Sequence, residues 1–241
     1  MSIAFSESIN NTGIVEQTRA MLRVDAAQYP TSRIVNSVNN YLDTVTGFAI
    51  GADRRFQWDD TNHTKLPIGT TNLVLNQSDY SFLTDEQGNS IVTLTRIDIL
   101  DSNGNYRKLD VIDQTDIAGA VDAALVTAGL PTEYDKIADN IIRLYPKPSA
   151  SVTNGLKFYF QRTGLYFIAA DTTKSPGVSP LLHRGFVIAS VYDALLSGIG
   201  SAKLTAISVE MQKEQTKMET YFGDRNKDEV QIMSPRSVNS M

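Results

Sequence analysis

The 241-residue chain has no cysteine. That excludes disulfides and thiolate metal ligands, so stability must come from packing or from association. Histidine is nearly as scarce: His63 and His183 stand far apart, and neither sits in an H-E-x-x-H or comparable ligand spacing. The nucleophile elbow G-x-S-x-G is missing, as is the phosphate loop G-x-x-x-x-G-K-[ST]. Nothing in the chain therefore points to catalysis, a cofactor or a metal. No run approaches the about 18 consecutive apolar residues of a membrane helix. The opening "MSIAFSESINN" also lacks the basic start and apolar core of a signal peptide. Together these absences predict a soluble, unexported chain with no membrane partner. Positive charge is in deficit too, with 22 Lys and Arg against 27 Asp and Glu and a net charge of -5. A dedicated duplex nucleic-acid binder would carry a broad basic field, and this composition does not supply one.

What remains is an ordinary globular composition, 41% hydrophobic and 20% charged, long enough to bury a substantial core. In "IVEQTRAMLRV", Ile14, Val15, Thr18, Met21 and Leu22 recur at helical spacing. Pro30 and a Thr31 or Ser32 cap introduce a longer helix carrying Ile34, Val35, Val38, Leu42, Val45 and Phe48. From Phe56 to about Thr163 the texture changes to strand-sized runs parted by turn clusters such as "TDEQGN", "DSNGN" and "ADN". Leu156, Phe158 and Phe160 alternate with Lys157, Tyr159 and Gln161, as a half-buried strand should. "NIIRLYPKP" reads as another strand, closed by prolines. Ala-rich "DIAGAVDAALVTAGLP" predicts one short helix inside this region.

After "DTTKSPGVSP" the helical period returns with Leu182, Phe186, Val187, Val191, Leu195 and Ile199, until "SGIGS" interrupts it. The last helix, about Ala202 to Phe222, places Leu204, Ile207, Met211, Met218 and Phe222 on one stripe, with Glu210/Lys213 and Glu214/Lys217 outside. Beyond Gly223 the tail is polar and predicts no fold of its own. The expected class is α+β. Residues 1–55 and 178–241 form a helical bundle with a flexible N-terminal arm and C-terminal tail. Residues 56–177 form an inserted, antiparallel, β-rich lobe with one short helix.

Each chemical constellation has a plainer explanation. Asp59 and Asp60 are adjacent, so in an extended segment they point to opposite faces and cannot flank one scissile bond. "DSNGNYRKLDVI" starts like a calcium loop at Asp101, Asn103 and Asn105. It then has Tyr106 where glycine is required and Ile112 where the bidentate glutamate belongs, so a hairpin turn at Asn103-Gly104 explains it better. "KFYFQR" mixes basic and aromatic residues, but its rings are better used on a core face than for base stacking. The Met-bearing stripe of the last helix reads first as bundle core and second as a surface that docks on another subunit.

Several phrases occurring in order resemble the head-to-tail adaptor proteins of tailed bacteriophages, which sit beneath the portal. They are residues 29–82, from "YPTSRIVNSVNNYLDTVTGFAIG" to "NQSDYSF"; 94–113, "LTRIDILDSNGNYRKLDVID"; 140–150, "NIIRLYPKPSA"; and 162–195, from "RTGLYFIAADTTKSPG" to "VYDAL". The resemblance implies a structural virion protein that assembles in the host cytoplasm and joins capsid to tail at the neck. It implies a ring, typically of twelve copies, contacting the portal protein and the tail or nozzle proteins. Genomic DNA would pass through the lumen with nonspecific contact at most. In that reading Phe56 and Trp58 wedge between bundle and sheet, and Pro67 and Gly69 turn the chain into the first strands. Tyr221, Phe222, Ile232 and Met233 become the candidate portal contacts. The alternatives are a tail-associated module binding glycan or receptor, which one tryptophan supports thinly, and a cell-wall hydrolase, which needs a carboxylate pair assembled by the fold.

Overall fold

The computed structural model describes residues 2–52, 68–85, 88, 90–113, 115, 126–200 and 203–223. Four α-helices are present among them: α1 (Ile14–Leu22), α2 (Thr31–Ala52), α3 (His183–Leu196) and α4 (Leu204–Gly223). Between the two pairs the described residues form ten strands. These are β1 (Ile68–Leu73), β2 (Asp79–Ser81), β3 (Ile91–Leu100), β4 (Tyr106–Lys108), β5 (Asp110–Val111), β6 (Ala128–Gly129), β7 (Glu133–Ala138), β8 (Ile141–Tyr145), β9 (Lys147–Pro148) and β10 (Val152–Arg162). The fold is α+β.

Helix α3 is the centre of the helical part. Phe186, Val187, Ile188, Ala189, Val191 and Ala194 are buried around its whole circumference, which requires neighbours on every side. Helices α1, α2 and α4 supply them. The expected stripe of α2 holds: Ile34, Val38, Leu42 and Val45 are fully buried, each contributing about 1.5–3 kcal/mol relative to exposure. The "SGIGS" interruption is a helix stop. Gly198 adopts φ 74, its N–H donates to the Leu195 carbonyl, and the Ile199 N–H donates to Ala194, which satisfies two orphan carbonyls.

The first residues are not a flexible arm. Phe5 is fully buried and its ring stacks on Phe167 at 5.0 Å between centroids. The Phe5 N–H donates to the Lys174 carbonyl and the Val15 N–H donates back to Phe5. Glu16 clasps the same segment, accepting from the Ser6 hydroxyl and the Glu7 N–H. Gly13 permits the approach, since a Cβ there would lie 2.3 Å from the Glu7 backbone nitrogen. The end of the segment expected with the β lobe, residues 164–177, also packs on the helices: Phe167 belongs to the helical core, together with Val178, which was expected there. The boundary falls near Thr163, where β10 ends, because Phe167 of the connector stacks on Phe5 and pairs with Asn39 of α2.

The strands enclose a second core. One sheet has the order β1-β10-β3-β4 and the other β2-β8-β7-β5, with β6 and β9 forming a separate pair. Ile97, Ile99, Leu156, Phe158 and Phe160 from the first sheet meet Tyr80, Tyr134, Ile142 and Leu144 from the second. Leu109, 1% exposed, sits where the chain crosses from β4 to β5, from one sheet to the other. The lobe is mixed rather than purely antiparallel, since β5 pairs with β7 and β6 with β9 in parallel. The chain between β5 and β7 is long enough for the crossover that parallel pairing needs. The strand alternation of β10 holds at Leu156, Phe158 and Phe160. It fails at Gln161 and Arg162, both buried, because the register with β3 shifts on either side of Phe160-Gln161.

The hairpin turn expected at Asn103-Gly104 is present. Gly104 has φ 79 and donates to the Asp101 carbonyl, while the Asp101 carboxylate accepts from the N–H groups of Asn103 and Asn105. The Ala-rich segment expected to form a helix lies mostly outside the described residues. Its end, Ala128–Gly129, is strand β6.

Candidate functional site

The residues singled out from the sequence divide into three groups. Phe56, Trp58, Pro67, Ile232 and Met233, with Asp59, Asp60 and His63, lie outside the described residues. Gly69 does not turn the chain into the sheet. It already pairs with Phe158 inside β1, and a Cβ there would stand 3.4 Å from the Phe160 ring. Phe222, expected among the portal contacts, is 1% exposed and part of the helical core, because α4 turns its Ile207, Met218, Phe222 stripe inward. Tyr221 is half-buried, with its ring edge-on to Phe222 at 5.2 Å.

His183 is a structural histidine. It is 2% exposed, its Nδ1 accepts from the Ile3 N–H at 2.9 Å, and its Nε2 lies 3.0 Å from the Val178 carbonyl. With Nδ1 accepting, Nε2 carries the proton and donates to Val178. Both ring nitrogens are thus engaged at the start of α3, Nδ1 with the N-terminal segment and Nε2 with the connector. Among the described residues there is no group of three or more His, Asp or Glu that could hold a metal ion. None of the helices described is long and apolar enough to cross a membrane.

Two clefts among the described residues line the helices. A cleft of about 440 Å³ runs between α2 and the end of α4, bounded by Asp43, Gly47, Phe48, Gly51, Glu219 and Phe222. Its floor is apolar and Gly223, where the C-terminal segment departs, lies on its rim. A second cleft, about 550 Å³, is polar: Arg33, Asn36, Ser37, Asn40 and Asp193 face it between α2 and the end of α3.

The connector beside the first cleft is tied down by polar contacts. The Asn39 amide pairs with the Phe167 backbone in both directions, at 3.0 and 2.8 Å. The Tyr166 hydroxyl donates to Asp43 at 2.7 Å; desolvation and that carboxylate push its pKa up to about 12. Lys174 donates to the Tyr166 carbonyl and sits 5.0 Å from the Phe167 ring centroid. Burial lowers its pKa although Asp171 opposes the shift. Tyr41, under α3 and α4, is raised to about 12 by burial and by Glu214. These contacts fix geometry and offer no nucleophile beside a base.

Sequence reading missed the N-terminal clasp and the Asn39–Phe167 pairing. Both join residues distant in the chain, and neither leaves a periodic trace. No protein-family model matches the chain, and no curated protein matches it.

Proposed function

We propose that this chain is a head-to-tail adaptor: a structural virion protein that forms a ring beneath the portal of a tailed bacteriophage and joins capsid to tail. It acts by association and not by turnover. One observation supports this reading most: the helices before and after the insertion build a single helical core around α3, while strands within residues 68–162 enclose a core of their own. That insertion is the architecture which the ordered phrases of the sequence imply for the adaptor family. A two-part subunit gives a ring separate surfaces for the layer above, the layer below and the neighbouring copy. Exposed apolar residues are present on both parts, among them Ile168, Leu181 and Leu196 on the helical side and Leu83 and Val111 on the β side.

In this reading the contact with the portal runs through the C-terminal segment that leaves the chain at Gly223, including Ile232 and Met233, with half-buried Tyr221 at its base. Phe222 belongs to the core and serves the fold. Deleting residues 224–241 is the test. The truncated chain should melt as the full chain does and fail to co-sediment with the portal of the same virus. Undiminished portal binding by the truncated chain overturns the assignment of the tail.

A further inference from the structure

The outer face of the β1-β10-β3-β4 sheet departs from the acidic character of the chain. Strand register places Arg96 beside Tyr159, and Lys157 and Lys108 on either side of Asp98; Tyr106 stands beside Leu100 on the same face. Lys157 Nζ lies 5.2 Å from the Tyr106 ring centroid and 5.3 Å from that of Tyr159, and the Arg96 guanidinium lies 5.7 Å from Tyr159. Asp98 is 2% exposed although it points outward. It is a short side chain ringed by longer ones, and it is ion-paired to Arg96. The charges this face shows to solvent are therefore positive. Of the acids beside the hairpin, Asp101 accepts from two backbone N–H groups in the turn, and Asp110 follows Lys108 as the chain leaves the sheet.

We propose that this face binds the phosphate backbone of duplex DNA without reading its sequence. Three features favour DNA over an acidic protein partner. Lysine is depleted from the cores of protein interfaces, whereas lysine and arginine dominate phosphate contacts. The exposed positions Thr70, Asn72 and Thr95 are short and polar and offer little apolar area to seed a protein interface; the Thr70 and Thr95 hydroxyls donate within the protein, to the Asn154 side chain and the Tyr159 carbonyl, so the phosphate contacts fall to the cations. The ring faces lie beneath cations, so the tyrosines stiffen the ammonium and guanidinium groups instead of stacking on bases. Lys157 and Lys108 stand two strands apart, about 9–10 Å along the sheet, and so reach separate phosphates. The inference rests on the adaptor reading only for where DNA would be met, the lumen of the ring. Binding by the free chain does not require a ring.

The test is fluorescence anisotropy of a labelled short duplex with the full chain, over a salt series starting at low ionic strength. The expected result is weak binding whose logarithm falls with log salt at a slope near -2 to -3, for two to three neutralised phosphates. Lys157→Gln combined with Lys108→Gln should weaken binding about tenfold and flatten the slope by about 2. Lys108→Glu alone, at an exposed edge position, should act in the same direction with an unchanged melt. Lys213→Gln with Lys217→Gln, on α4, should change nothing. Three outcomes overturn the inference: no binding at low salt, equal binding by the Lys157/Lys108 variant, or displacement by polyglutamate as readily as by unlabelled duplex, which would indicate an acidic protein partner. Portal assembly of the same variants separates the two readings. Lost duplex binding with portal assembly intact supports the inference. Portal assembly by a native chain that ignores duplex overturns it and leaves the adaptor reading standing.

Discussion

Replacing Phe5 by alanine tests whether the first residues are part of the fold. The ring is fully buried, stacks on Phe167 at 5.0 Å and an interplanar angle of 24°, and belongs to the core that holds α1 to α3. Removing a buried phenylalanine costs about 3–5 kcal/mol, from lost transfer energy and from the cavity left behind. The lost ring pair lies within that figure, at about 0.5–1.5 kcal/mol. For a chain of this length each kcal/mol lowers the melting temperature by about 2–4 °C, so the expected drop is about 6 to 20 °C. Differential scanning calorimetry measures it directly. Ile9→Ala on the same segment is the control: that side chain is 88% exposed, and its loss should move stability by less than about 0.5 kcal/mol. A Phe5→Ala melt within about 1 °C of the native one, a shift far below the cavity cost, would refute the packed arm.

The remaining predictions concern charge. Arg162 and Asp85 form an ion pair at 2.7 Å with both side chains almost wholly buried at the end of β10. Asp85→Ala should cost about 3–5 kcal/mol in urea unfolding, because it strips a partner from a charge with little access to water. A cost below about 1 kcal/mol would mean that the pair behaves like an exposed one. Arg143 grips both oxygens of Asp79, at 2.8 and 2.9 Å, and this hydrogen bonding holds the Asp79 carboxyl below its ordinary value of 3.8. A depressed folded pKa stabilises the fold at pH values above the unfolded pKa, and that contribution is lost as pH falls through the folded one. Acid titration of the urea midpoint should therefore show a step below pH 4 that Asp79→Asn removes. The step should stay under about 1 kcal/mol because the pair is largely solvated. An identical acid profile in the variant contradicts this.

The parts of the fold that were legible in the sequence are those whose physics is local. The spacing of three and four in α2 marks Ile34, Val38, Leu42 and Val45 as core, and all four are buried. The alternation Leu156, Phe158, Phe160 marks the inner face of β10, and the Asn103-Gly104 turn needs only its own loop. Distant or register-dependent features were not legible. Phe5 sits in polar surroundings with no period, and its partner Phe167 lies at the other end of the β insertion. Gln161 and Arg162 turn inward because of a shift against β3, which no pattern within β10 records. The parallel pairings of β5 with β7 and β6 with β9 depend on how a long connection returns. The stripe of α4 was legible in part: Ile207, Met218 and Phe222 are buried, but Leu204 is exposed and Glu214, expected outside, is buried, and whether Phe222 faces core or partner depends on α2 and α3. The candidate site was less legible than the fold. Lys157 and Tyr159 read as outward residues of one strand, but Arg96, Lys108 and Tyr106 join them only through sheet register.

The adaptor reading is most directly tested by particle mass. Light scattering should be measured on this chain alone and then with the portal of the same virus across a titration. The account predicts saturation at about one copy per portal subunit, as closed symmetric association requires. A chain that remains a monomer beside a portal of unaltered mass contradicts it.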